Sequence, residues 1–478
     1  MRIALPLLRA LLLPAILLVC PLALADSLRI KPYTFEAGGE QGSVEAEWGE
    51  FEVPARHDDP DGERLTLAFV RFPSTNPKPG HPIVYLAGGP GGSGIGTARG
   101  GRFPLFMALR EVADVIAFDQ RGTGASSPGP TCRYPDAYDL AQPDTRENGV
   151  AYVQAAARWC LDWWTEEGFN IGIFNTRESA RDLEALRRVL GAEKLNLWGI
   201  SYGTHLALDA FRVLGPDAVH RAVLASPEGL AQTVKRPAFS ERYFERVAAL
   251  AKDRYPDFLP TLHGQLERLA REPESVTFTP QGASEPITMN VGATTYRALI
   301  AFAMVKNPQN VAGLPQLVQG VEAMGMQVVA PFALRMFGEP MTLRPMSFGM
   351  DVASGISPER LAEVMAQADT AVVGDMMNFP LPHVLGVPGL PDLGDAFRQE
   401  VESPIATLVL TGTLDGRTFP EAHAEILSGL SNGSQITIEN AGHDLFMVSD
   451  EVQQAVVRYF GDGSVAESTI TIPPPTFR

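Results

Sequence analysis

The sequence predicts an α/β protein: a mostly parallel sheet flanked by helices, interrupted late in the chain by a mostly helical insertion. Three observations predict it. Short, largely apolar runs at residues 83–87, 115–118, 195–198, 221–225 and 405–410 read as strands, and the unbroken run 115–118 is of the kind buried on both faces of a parallel sheet. Helix-period segments such as 176–190 separate them. Between about residues 230 and 402 the strand pattern lapses and longer helix-like stretches take over, at 239–253 and 358–375, so this segment is expected to be a cap inserted into the sheet domain.

Taken in order, residues 1–25 carry Arg2 and Arg9, an apolar run from Ala10 and the small-residue ending Ala23-Leu24-Ala25, which reads as a cleaved secretory signal peptide. A retained anchor fits less well, because the run is shorter than the ~20 apolar residues a spanning helix needs and contains Pro14 and Pro21. Cys20 raises a lipoprotein alternative, for which Val19 is a poor fit. The mature chain is expected to be exported, periplasmic or secreted, with no stable membrane insertion. Its core is expected in two parts, 26–229 and 403–478, around a cap at 230–402. Residues 51–53 and 65–70 alternate on either side of the polar turn Asp58-Asp59-Pro60-Asp61-Gly62 and read as an antiparallel entry to the sheet. Pro473-Pro474-Pro475 reads as extended surface chain.

At 478 residues and 45% hydrophobic the chain buries a large core. Its 39 basic and 56 acidic residues give a net charge of −17, which repels phosphate backbones and anionic headgroups and argues against nucleic-acid or peripheral membrane binding. Signal cleavage leaves Cys132 and Cys160. In an oxidising compartment they are expected to pair, closing a proline- and aspartate-rich excursion, which typically adds roughly 2–4 kcal/mol; two buried free thiols are the alternative. Neither these nor the scattered histidines have metal-ligand spacing.

The chemistry centres on Gly199-Ile200-Ser201-Tyr202-Gly203, where a strand turns sharply into a helix with a serine at the apex. A hydroxyl is a poor nucleophile at neutral pH, so Ser201 needs a base, a carboxylate to orient that base and donors for an oxyanion. Asp415 follows the strand at 405–410, and His443 follows the strand-like run 435–438. The order Ser, Asp, His is that of α/β-hydrolases. The glycine-rich turn Gly88-Gly89-Pro90-Gly91-Gly92-Ser93-Gly94 after the strand at 83–87 offers the Gly89 N–H as one oxyanion donor, Pro90 having none, and the Tyr202 N–H is the second. Each such donor is typically worth about 3–4 kcal/mol in the transition state.

That glycine turn, the elbow, Gly442-His443 and the segments Asp119-Gln120-Arg121-Gly122-Thr123-Gly124-Ala125-Ser126 and Gly412-Thr413-Leu414-Asp415-Gly416-Arg417-Thr418 together resemble the prolyl and tripeptidyl aminopeptidase family of α/β-hydrolases. The likeness runs from about residue 50 to 459 and is loosest in the middle. Ala87 stands where prolyl aminopeptidases usually carry His, as it can in the exported tripeptidyl branch. The resemblance implies an aminopeptidase acting on short peptides through an acyl-enzyme, without metal or organic cofactor. In this family the Asp119 and Arg121 turn looks structural, tying its loop to the neighbouring glycine turn. An exopeptidase of this kind needs carboxylates to hold the substrate ammonium, and Glu228, after the strand at 221–225, and Asp351, in the cap, are the candidates.

Rival readings are weaker on the residues. Residues 89–94 also satisfy G-x-G-x-x-G, but Pro90 interrupts the phosphate turn and no G-K-[ST] follows. Asp444 and Glu439 compete with Asp415, yet a sequence neighbour of His443 on a turn usually points elsewhere. His205 reads as a packed helix residue, and Trp159, Trp163 and Trp164 as core. An esterase acting on small esters would share every catalytic residue; a non-catalytic binding protein would normally have lost part of the triad.

Overall fold

The computed structural model describes residues 28–305 and 311–477; the signal peptide expected at 1–25 lies outside them. Ten strands form one sheet: β1 Arg29–Glu36, β2 Ser43–Pro54, β3 Arg64–Phe72, β4 Ile83–Leu86, β5 Val115–Phe118, β6 Leu195–Ile200, β7 Val219–Ala225, β8 Ala406–Gly412, β9 Gly433–Glu439 and β10 Thr469–Thr471. Their spatial order is β1-β2-β3-β5-β4-β6-β7-β8-β9-β10. The first three strands run antiparallel to their neighbours and every later pairing is parallel. β4, β5 and β6 are buried along their whole length, which is why they read as unbroken apolar runs. β1, exposed except near its end, carries no such run and was not legible as a strand.

Helices cover both faces. On one side Thr176–Val189 and Tyr202–Leu214 bury Leu183, Leu186, Leu206 and Phe211 with Phe69, Phe118 and Leu224 of the sheet. On the other, Phe103–Leu109 and Asp450–Asp462 bury Phe106, Val456 and Phe460 against Tyr85, Trp198 and Ile436. Two of these helix starts are capped by a side chain: Asn175 accepts from the Glu178 N–H and Ser449 from the Val452 N–H.

The segment expected to form a cap contains helices Pro237–Ala251, Phe258–Arg271, Ala293–Met304, Gly313–Met324, Ala330–Phe337, Pro345–Ser354 and Pro358–Ala368, with a hairpin pairing Glu274–Phe278 to Ile287–Val291. Its hydrophobic core is its own, around Tyr243, Leu266, Tyr296, Ile300 and Val318. Helix Arg146–Glu166, which precedes the elbow, packs into the same layer: Cys160 and Trp164 share a cluster with Phe348, Val352 and Val384. Cys132 and Cys160 are joined in a disulfide with Cα atoms 5.8 Å apart, and the strand residues Cys132–Arg133 pair with Thr342–Leu343 of the cap.

Four expectations need correction. The helix expected over 358–375 ends at Ala368, because the chain turns there to satisfy other elements: the Val372 N–H donates to Glu241 Oε1 at 2.6 Å and its carbonyl accepts from Arg297. Trp159 is exposed, since the buried stripe of its helix runs through Val153, Ala157, Cys160 and Trp164; it stacks on Trp163 instead. Arg121 does not tie its loop to the glycine turn. Fully buried, it needs a full set of acceptors, and it finds them in Asp182, at 2.6 and 2.7 Å, and in the carbonyls of Ala55 and Ile173. Asp119 alone ties the glycine turn, accepting from Ser93 Oγ at 2.6 Å and from the Ile95 N–H. The proline tail is not all surface chain: Pro475 is buried and Phe477 packs against the cap core.

Candidate active site

β6 delivers its last residue into a turn at Ser201, which takes φ +54° and ψ −130° before the helix Tyr202–Leu214 begins. A non-glycine residue there costs about 1–3 kcal/mol and persists only where its surroundings fix it. They do: the Ser201 N–H donates to Ala225 O at 3.1 Å, and its carbonyl accepts from Thr204 Oγ1 at 2.6 Å. The turn is tight enough that a Cβ on Gly203 would lie 2.0 Å from the Leu86 carbonyl oxygen. That explains glycine after the serine.

The loop after β8 brings Asp415 to the same end of the sheet, and the loop after β9 brings His443. His443 Nδ1 lies 3.0 and 3.1 Å from the two Asp415 oxygens. Asp415 is fully buried and also accepts from the Arg417 N–H at 2.8 Å, the Thr418 N–H at 2.9 Å and Thr418 Oγ1 at 2.9 Å. Burial by itself would push its carboxyl up, but the His443 imidazole and these donors hold it well below the usual carboxylate range. The group is therefore an anion that only accepts, and Nδ1 of His443 carries the proton while Nε2 presents a lone pair.

Ser226, which the sequence reading passed over, fastens these loops together. It has φ +47°, its N–H donates to Leu410 O, its hydroxyl donates to the His443 carbonyl at 2.8 Å, and its own carbonyl lies 3.0 Å from Thr418 Oγ1, a second acceptor within reach of the single hydroxyl proton shared with Asp415. The only signal in the sequence was a serine directly after a strand. No hydrogen bond joins Ser201 to His443 among the described residues. Nucleophile–base contacts commonly tighten only when substrate is bound.

The glycine turn lies against the nucleophile: a Cβ on Gly88 would sit 3.0 Å from Ser201 Cβ. Gly89 follows it with φ +129°, and Tyr202 opens the helix. Among the described residues neither the Gly89 nor the Tyr202 N–H donates to a protein acceptor. The Tyr202 hydroxyl bonds Met350 Sδ at 3.0 Å, so helix Pro345–Ser354, in the segment expected to form a cap, packs against the elbow helix.

The two carboxylates read as ammonium holders come out differently. Glu228 is buried and already has a cation: Lys235 Nζ stands 2.6 Å from its Oε2. Burial would raise the Glu228 carboxyl, but Lys235 and His205 take it below its ordinary value. Asp351 is half-buried, and among the described residues no cation lies within ion-pair distance of it. Burial, then the neighbouring Glu228 charge, push it up to about 7 against the opposing pull of Lys235 and Arg417.

The competitors of Asp415 have other partners. Asp444 pairs with Arg102 at 2.6 Å, and Glu439 accepts from Thr471 Oγ1 at 2.6 Å. His205 is buried between Gly229 O and Ser354 Oγ. Among the described residues no group of His, Cys, Asp and Glu side chains is arranged to hold a metal ion, and no single helix is long and apolar enough to cross a membrane.

Two family models match the chain. One, described as the α/β hydrolase fold, covers residues 81–296; the other, described as a TAP-like protein, covers residues 392–471. The serine protease Hip1 of Mycobacterium tuberculosis is 35% identical over 185 residues, 37% of this chain and 35% of the relative. The tripeptidyl aminopeptidase of Streptomyces lividans is 31% identical over 189 residues, 36% of this chain and 34% of the relative. Each match thus spans about a third of the relative's own length. Among solved structures, an α/β hydrolase from a deep-sea metagenome library aligns with 83% of this chain and 94% of its own, at 14% identity and a TM-score of 0.37.

Proposed function

The chain has the α/β-hydrolase fold, and on that premise we propose that it is an exported serine peptidase that removes residues from the free N-terminus of short peptides. The observation that carries this reading is the pairing of His443 with a buried, anionic Asp415 at the strand ends beside the strained Ser201 turn. Ser201 Oγ attacks the scissile carbonyl while His443 Nε2 takes its proton. The Gly89 and Tyr202 N–H groups hold the resulting oxyanion. The tetrahedral adduct collapses as His443 returns the proton to the leaving amine, leaving an acyl-enzyme. Water, activated by the same histidine, then releases the acid and restores Ser201. None of these steps calls for a metal or organic cofactor.

The tripeptidyl aminopeptidase relative supports the peptide assignment, and the disulfide supports export. Asp351 is the group that meets the substrate ammonium. With Glu228 neutralised by Lys235, Asp351 is the carboxylate left for an incoming cation, which would draw it into its ionised form. The test is to profile the mature protein on aminoacyl, prolyl and tripeptidyl arylamides, each free and N-acetylated, beside simple aryl esters. Cleavage of the free-amine arylamides with strong loss on acetylation is expected. Equal cleavage of acetylated and free substrates, or turnover of esters alone, refutes the aminopeptidase reading in favour of an esterase.

A further inference from the structure

A cavity of about 290 Å³ opens in the cap between helices Arg146–Glu166, Ala293–Met304 and Ala330–Phe337. Its walls are mostly apolar, with Tyr152, Ala298, Phe302, Met336, Met377 and Phe379 among them. Two charged residues reach it. Asp144 is committed to the protein, since its Oδ2 accepts from the Gly292 and Thr295 N–H groups at 2.6 and 3.0 Å at the start of a helix. Arg417 is different. It comes from the loop that carries Asp415, to which its own N–H donates, and its side chain crosses to the cavity, where Nη1 donates to Met377 O at 2.9 Å. Among the described residues no carboxylate lies within ion-pair distance of it. Arg417 thus joins the cavity lining to the loop that orients His443.

We propose that this cavity is the specificity pocket of the site, taking a bulky apolar side chain, aromatic or long aliphatic, from the acyl half of the peptide substrate. Size and chemistry select that occupant. The volume stands at the low end of ligand pockets, which run from about 300 to 1,000 Å³, so it suits one or two side chains. Unbranched methionines on its wall adapt to the shape of an apolar group. The aromatic wall is continuous, Tyr138 packing on Tyr152 at 5.4 Å and on Phe337 at 6.1 Å between ring centres. Arg417, with donors left beyond its one carbonyl contact, is the positioning residue for the substrate backbone on the side of the cavity that faces the Asp415 loop.

The inference rests on the serine-hydrolase reading, and the experiment separates the two. Tripeptidyl arylamides with Phe or Ala beside the scissile bond are compared on the wild type, Ala298→Phe, which fills the cavity, and Met336→Ala, which widens it. The wild type is expected to prefer Phe. Ala298→Phe should lose about tenfold or more in kcat/KM on the Phe substrate and stay within about twofold on the Ala substrate. Met336→Ala should shift preference from Phe towards Trp, and it tests the pocket independently should the filled variant fail to fold. Parallel changes on all substrates, or unchanged preference in both variants, overturn the proposal. If the wild type cleaves no arylamide while a fluorophosphonate still labels Ser201, the peptidase reading fails and the same variants are read on aryl esters of acetate and 3-phenylpropanoate. A selective loss on the phenylpropanoate then upholds an apolar acyl-side pocket, and an equal loss on both esters overturns it.

Discussion

Replacing Asp415 by Asn tests the proposed triad at the point where the structure makes the sharpest statement. Asp415 Oδ1 accepts from the Arg417 and Thr418 N–H groups, and its carboxylate faces His443 Nδ1 at 3.0 and 3.1 Å. In the variant, the amide oxygen has to remain with the two backbone donors, because leaving them unpaired in a buried site costs about 1–3 kcal/mol each. The amide nitrogen then faces His443 and donates. His443 Nδ1 can only accept from it, so the imidazole proton moves to Nε2, and the lone pair that should take the Ser201 proton is gone. A wrong tautomer of this kind costs about 10⁴-fold in kcat, or about 5 kcal/mol of transition-state stabilisation. Turnover of a free-amine tripeptidyl arylamide and the rate of fluorophosphonate labelling are the assays, with thermal melts to confirm that the near-isosteric variant folds. Asp444→Asn is the control, since Asp444 is largely exposed and pairs with Arg102 rather than His443; it should stay within about threefold in turnover, because the change touches neither His443 nor Asp415. Asp415→Asn retaining more than a tenth of wild-type activity, or Asp444→Asn matching its loss, would refute the reasoning.

Ser201→Ala should abolish turnover and fluorophosphonate labelling with little change in melting temperature, since the hydroxyl makes no contact that the fold depends on; labelling that persists would locate the nucleophile elsewhere. Asp351 gives a pH signature in stability. Its folded-state carboxyl sits at about 7 against an ordinary 3.8, so between those values the unfolded chain gives up its proton and the folded chain keeps it. Stability from this group therefore falls as pH rises from about 4 to 7, each unit of displacement being worth about 1.4 kcal/mol. Asp351→Asn should accordingly melt higher than the wild type at pH 8, with the difference closing towards pH 4; a gap that is constant with pH counts against it. The double variant Cys132→Ser, Cys160→Ser should lose stability by about 3–4 kcal/mol, the closure entropy of a loop whose ends are 28 residues apart, read by denaturant unfolding of the oxidised protein against the variant.

What the sequence made legible follows a physical line. The central strands were readable because burial on both faces leaves no polar alternation, and Val115–Phe118 was bounded to the residue. The placing of Ser201, Asp415 and His443 in loops at strand ends was readable because each follows a strand-like run and glycines mark the turns, even though the strand before His443 is only partly buried. β1 was not, since an edge strand that is mostly exposed has no apolar run to announce it. The cap boundaries were softer for a related reason: helix Arg146–Glu166 belongs to the cap layer through contacts with residues some two hundred positions later, such as Gln154 with the His383 carbonyl. Ser226 was invisible because its role depends on a positive φ and on three partners that converge only in the folded chain.

Glu228 shows where a local reading of charge fails. In the sequence it is an acidic residue in a loop after a strand, beside the expected active site, and nothing distinguishes it from a receptor for a substrate ammonium. In the fold, Lys235, seven positions on, returns to it at 2.6 Å, and both are buried. Such a pair cannot open cheaply to admit a second cation, because removing Lys235 from Glu228 strands two buried charges. On the proposed aminopeptidase reading, recognition of a substrate amine falls on a carboxyl that is not so engaged, and Asp351 meets that condition with its proton still held near neutral pH. Binding an ammonium there requires Asp351 to give that proton up. Free-amine substrates should therefore bind better as pH rises through about 7, until the substrate amine itself loses its charge. The same rise should vanish in Asp351→Asn and be absent for neutral esters in the wild type, and an ester that shows it equally would place its origin outside amine recognition.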